Sequence, residues 1–132
     1  MPRMDTRELA AIFAGGCLGG LARAGVAEGL SAPPGQWPWA TFLVNILGAL
    51  LLGYSVTRLQ ERLPLSLYRR PFLATGLCGA LTTFSTVMVE VLRMLDGRHW
   101  LLASSYTAAS IACGFAAVLA STKLVRRARI AT

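Results

Sequence analysis

The sequence has 132 residues, of which 55% are hydrophobic and only 14% charged, with a formal net charge of +7. A single domain of this length cannot hide so much apolar surface from water, which excludes a soluble fold and leaves a membrane protein. The positive charge does not point to nucleic acid, because the basic residues lie at the ends of apolar stretches without the interleaved aromatic platforms on which single strands stack.

After the charged lead Met1–Glu8, the first apolar stretch covers about residues 9–30 and is interrupted only by Arg23 and Glu28. It carries Gly15, Gly16, Gly19 and Gly20, two overlapping pairs of small residues four apart, the spacing that lets helices approach closely in lipid. Ser31–Pro38 is a turn rich in Pro and Gly, with Trp37 and Trp39 marking the water interface. No charged side chain then occurs until Arg58, which sets a second span at about 39–57 with Asn45 near its middle and Gly48 and Gly53 beyond. A basic connection, Arg58–Arg70, follows. The third span covers about 71–93 and the fourth about 100–122, ending in the basic residues Lys123, Arg126, Arg127 and Arg129. Each span suffices to cross a hydrocarbon core of about 30 Å as a helix of roughly 20 residues. The expected fold is therefore an all-α membrane protein with four transmembrane helices in one domain.

The third span is unlike the others. Its centre, Gly76 to Thr86, combines glycines with adjacent threonines, which lower helix propensity at the bilayer midplane. Two readings follow from the residues alone: a helix broken where its freed backbone groups are buried or line a cavity, or a continuous helix whose hydroxyls bond back to the preceding turn. In the fourth span Ser104, Ser105, Tyr106, Thr107 and Ser110 crowd the first half, which should face protein or water.

No enzyme constellation is present. Cys17, Cys78 and Cys113 lie singly on different spans, without metal-ligand spacing, and read as packing residues. His99, beside Trp100, reads as an interfacial side chain. What the spans do contain is a set of hydrogen-bond donors: Asn45, Thr82, Thr83, Ser85, Thr86, Tyr106 and Ser110. Donors without fixed negative charge suit a small anion, whose hydration a pore must replace contact by contact. The positive ring edge of Phe84 adds to them, and Arg23 raises the local anion concentration. A cation pathway wants intramembrane carboxylates, and only Glu28 and Glu90 are on offer, both toward span ends.

Gly79-Ala80-Leu81-Thr82-Thr83-Phe84-Ser85-Thr86 resembles the signature of the Fluc/CrcB fluoride channels. So do Gly19-Gly20-Leu21-Ala22-Arg23, Thr41-Phe42-Leu43-Val44-Asn45 with Gly48, Glu90, and Tyr106 with Ser110, in the same order over four spans. The resemblance implies an antiparallel dimer of four-helix subunits that passively exports fluoride through two pores and relieves its toxicity. It also implies a third span broken at its centre and a buried structural sodium ion. Carried over, the sodium ligands are the carbonyls of Gly79 and Thr82. Asn45, Phe84, Thr83, Ser85, Tyr106 and Ser110 line or support the fluoride path, and Arg23 stands at an aqueous vestibule. One position departs from the pattern: Val87 stands where the family usually carries a second phenylalanine. A small multidrug-type exporter, also a four-span antiparallel dimer, needs a carboxylate deep in span 1, where only Glu28 occurs, near the end. A non-conducting or half-functional partner subunit of a heterodimeric channel is the alternative from another class.

Four spans put the N-terminus, the span 2–3 connection and the C-terminus on one side. That side holds Arg3, Arg7, Arg58, Arg62, Arg69, Arg70, Lys123, Arg126, Arg127 and Arg129, ten basic residues against two, Arg93 and Arg98, opposite. Basic residues stay in the cytoplasm, so the expectation is a multi-pass protein of a prokaryotic plasma membrane with both termini inside. Lipid is one partner. An antiparallel second subunit is another: the charge bias favours a related chain of opposite topology, and a homodimer stays open.

Overall fold

The computed structural model describes residues 5–61 and 67–130. Arg3, Arg62 and Pro64 lie outside the described residues. The elements in chain order are α1 (Thr6–Gly29), α2 (Trp39–Glu61), a π-helix (Pro71–Cys78), α3 (Gly79–Leu81), α4 (Phe84–Asp96) and α5 (Trp100–Ile130). Four helical stretches, Thr6–Gly29, Trp39–Leu59, Pro71–Asp96 and Trp100–Ala128, are long and apolar enough to cross a membrane. Helices satisfy their own backbone groups, which is what a hydrocarbon environment requires of a spanning segment.

Local chemistry sets the helix ends. Asp5 caps α1, its carboxylate accepting the Arg7 N–H at 2.9 Å. Pro71 opens the π-helix, where its missing N–H costs nothing. The fourth span runs further than the hydropathy pattern suggests. It continues to Ile130, so that Lys123, Arg126 and Arg127 ride on the last turns of a helix and do not form a separate tail. Its polar first half is largely self-satisfied: Ser104, Ser105 and Thr107 donate to the carbonyls of Trp100, Leu101 and Ala103 one turn back.

Glycine decides two of the helix contacts. A methyl group on Gly15 or Gly19 would collide with the carbonyl oxygen of Phe72 or Leu77, and one on Gly76 with that of Ile12. The backbones of α1 and the π-helix therefore touch directly. Gly16 and Gly20, the other pair, face open space. Gly53 plays the same part between α2 and α5, seated against Ser121 and Val118.

The two ends of the bundle are distinct. At one, the Tyr68 hydroxyl donates to Asp5 at 3.2 Å and Thr57 donates to Thr122 at 3.3 Å, gathering the start of α1, the end of α2, the start of the π-helix and the last turns of α5. At the other, Gly35 (φ +85°) packs on the His99 ring, and Trp37 meets Tyr106 edge-on at 5.4 Å. The core inside the bundle is small: Val87, Met94, Ala103 and Tyr106, with Trp37 and Phe42 against it. Phe13, Leu21, Ile111 and Phe115 point outward, as they should where the solvent is lipid.

Candidate functional site

Between α3 and α4 the third span leaves helical geometry for two residues, Thr82 (φ −81°, ψ 153°) and Thr83 (φ −148°, ψ 122°). In a continuous helix the Thr83 N–H would bond the Gly79 carbonyl. Here it donates to Asn45 Oδ1 at 2.8 Å, while Asn45 Nδ2 donates to the Thr83 carbonyl at 3.1 Å. One side-chain amide thus satisfies both backbone groups of one extended residue. The Thr83 hydroxyl caps α4: it accepts the Thr86 N–H at 3.2 Å and donates to Thr86 Oγ1 at 3.0 Å. With both those N–H groups diverted to side chains, the carbonyls of Gly79 and Thr82 lose their helical donors. The hydroxyl of Thr82 bonds back to the Cys78 carbonyl at 2.9 Å.

A single stripe of α2 holds this arrangement. Thr41, Asn45 and Gly48 recur at i, i+4 and i+7, one face of a helix. Gly48 admits the Thr82 methyl, which any β-carbon there would strike. Thr41 donates to Glu90 Oε1 at 2.6 Å, and from α5 Tyr106 donates to Glu90 Oε2 at 2.6 Å. The Glu90 carboxylate thereby ties α4 to α2 and α5. Of its three members only Tyr106 was among the expected site residues. The signal for it was an acid inside an otherwise apolar span, and the partners could not be read without the fold.

The positions expected from the sequence separate into groups. Gly79, Thr82, Thr83, Phe84, Asn45 and Ser110 line one cavity of about 450 Å³. Phe84 is 77% exposed, and Ser110 Oγ is buried without a hydrogen-bond partner among the described residues. Arg23 lines a different cavity of about 140 Å³ with Thr41, Thr83 and Thr86, so Thr83 forms a wall common to both. Ser85 is exposed, its hydroxyl 3.3 Å from that of Thr83, and lines neither. Tyr106 is wholly buried and reaches Glu90 instead of the larger cavity. Val87 lies in the core and contributes an aliphatic wall to that cavity. Among the described residues no three His, Cys, Asp or Glu gather as a metal site.

Fold and site together define a multi-pass helical membrane protein whose interior gathers hydroxyls, the Asn45 amide and the Glu90 carboxylate around two extended residues of the third span. Residues 10–122 match the family described as CrcB-like protein, Camphor Resistance (CrcB), and the chain belongs to that family. It is 60% identical over 130 residues to "Fluoride-specific ion channel FluC 1" of Mycolicibacterium paratuberculosis, covering 98% of both chains. It is 58% identical over 130 residues to the protein of the same name from Mycobacterium tuberculosis, again covering 98% of each. A more distant relative, "Fluoride-specific ion channel FluC" of Bacteroides fragilis, is 41% identical over 118 residues, covering 86% of this chain and 92% of its own.

Proposed function

We propose that this protein is a fluoride-selective channel that lets the anion leave the cell passively. The observation that carries the reading is the grip of Asn45 on Thr83. It fixes an extended segment between two helices, with a cavity on each side lined by hydroxyls and by the Phe84 ring. Such a lining offers N–H, O–H and positive ring-edge contacts to an anion that must shed water. The names of the relatives, and identity over nearly the whole chain, support fluoride as that anion.

The same reading extends to a sodium ion held by the carbonyls of Gly79 and Thr82 from two antiparallel subunits. The carbonyls stripped of their helical donors support it, since four oxygens suit a hard cation. Gly79 is exposed with open space above it, which leaves room for a second chain. We further infer that both termini are cytoplasmic. The described basic residues Arg7, Arg58, Arg69, Arg70, Lys123, Arg126 and Arg127 all belong to the bundle end where α1 starts and α5 finishes.

Purified protein in liposomes, read with a fluoride electrode, tests the channel. Fluoride should leave at channel rates while chloride is retained; comparable chloride loss defeats the selectivity reading. Reporter fusions at the C-terminus test the topology. A cytoplasmic signal alone implies a related antiparallel partner chain, whereas equal signals on both sides, with full flux from this chain alone, imply a dual-topology homodimer.

A further inference from the structure

On the α1 side of Thr83 the small cavity containing Arg23 adjoins a larger one. Ala27, Ala40, Thr41 and Thr86 line it and also line a neighbouring cavity of about 340 Å³, which lies under the Ser31–Pro38 turn and is bounded by Glu90 and Arg93. Sharing that wall, the two adjoin in a cleft between α1, α2 and α4, with Arg23 lining one part and Arg93 the other. Its middle is unfavourable to an anion. Glu90 brings a carboxylate there, and the hydroxyl of Thr41 is already committed to it at 2.6 Å. Arg93 stands one turn further along α4. Residues three apart on a helix are neighbours, with β-carbons about 5–6 Å apart. No ion pair or hydrogen bond holds its side chain among the described residues.

We propose that Arg93 is the capture residue at this mouth of the cleft. Its guanidinium offsets the field of Glu90, concentrates fluoride at the entrance, and passes it inward toward Thr86 and Arg23. The proposal rests on the fluoride-channel reading and adds to it a second basic residue at the end of the bundle opposite the termini. Arg93 is exposed and lines the larger cavity, and a charge at the opening of a low-dielectric cleft raises the local concentration of the permeant ion. Arg98, at the same end, is the natural comparison: it lines a separate surface depression with Trp37 and His99.

Fluoride currents through Arg93→Gln, Arg93→Lys and Arg98→Gln channels in planar bilayers, at low and high ionic strength set with impermeant gluconate, test this. At about 10 mM the screening length is roughly 30 Å, and at about 1 M roughly 3 Å. Arg93→Gln should carry roughly tenfold less current than wild type at low ionic strength, the lower end of what focused charge adds to encounter rates, and should match it at high. Arg93→Lys should behave as wild type at both, and Arg98→Gln nearly so. Equal losses in Arg93→Gln and Arg98→Gln would reduce the effect to diffuse surface charge and overturn the proposal. An unchanged Arg93→Gln current overturns it too, as does a loss independent of ionic strength that lysine does not restore. A wild-type protein that passes no fluoride at all instead removes the channel reading on which the proposal stands.

Discussion

Replacing Asn45 by leucine, which branches at the same carbon but is apolar and bulkier, removes the side chain that holds Thr83 out of the helix. Two hydrogen bonds vanish, at 2.8 and 3.1 Å, and the N–H and carbonyl they served stay buried with Thr83. An unsatisfied buried donor or acceptor costs about 1–3 kcal/mol, so the interrupted conformation is raised by roughly 2–6 kcal/mol for the pair. The chain has a cheaper alternative, which is to return the Thr83 N–H to the Gly79 carbonyl and let α3 run on into α4. That change would move Thr82 away from Gly48 and withdraw a carbonyl from the inferred sodium site. Fluoride flux in liposomes should fall below detection, while the protein still elutes as a folded species from a sizing column in detergent. Asn45→Asp separates geometry from charge. It keeps an acceptor for the N–H but faces the Thr83 carbonyl with an oxygen and sets a negative charge on the anion path, so flux should again be lost. Wild-type flux from Asn45→Leu, with an unchanged melting temperature, would show that the amide neither builds the interruption nor lies on the path.

Three further outcomes follow from the packing. Gly48→Ala places a methyl on the Thr82 side chain and should abolish most flux, whereas Gly20→Ala, which meets nothing, should leave efflux unchanged in the same assay. Gly19→Ala drives a methyl into the Leu77 carbonyl; overpacking of this kind costs about 1–3 kcal/mol, visible as a lower melting temperature in detergent than for Gly20→Ala. Tyr106→Phe leaves Glu90 with Thr41 as its one remaining hydroxyl donor among those described. A bond to a charged group contributes about 1.5–3 kcal/mol, so the free energy of unfolding should fall by about that amount and the melting temperature with it, and an unshifted melt would show that the clamp is not stabilising.

The sequence by itself determined the number of spans, their order and their approximate limits, because those depend on where charges are missing along one dimension. It also marked the stretch Gly76–Thr86 in which the two extended residues fall, since threonines beside glycine are locally unfavourable to helix whatever surrounds them. Local pattern could not choose between a break and hydroxyl back-bonding, and the structure contains both: Thr82 bonds back to Cys78 while Thr83 is drawn out by Asn45, 38 residues earlier in the chain. Nor could spacing say which glycine pair on α1 faces a neighbour. Gly15 and Gly19 do, and Gly16 and Gly20 do not, because the choice depends on the rotation of α1 against the π-helix. The Glu90 clamp, the partition of the interior by Thr83 and the wall shared by the cavities of Arg23 and Arg93 are of the same kind. Each is a meeting of side chains from different helices, fixed by helix rotation and close backbone contact, and so only the tertiary structure decided it.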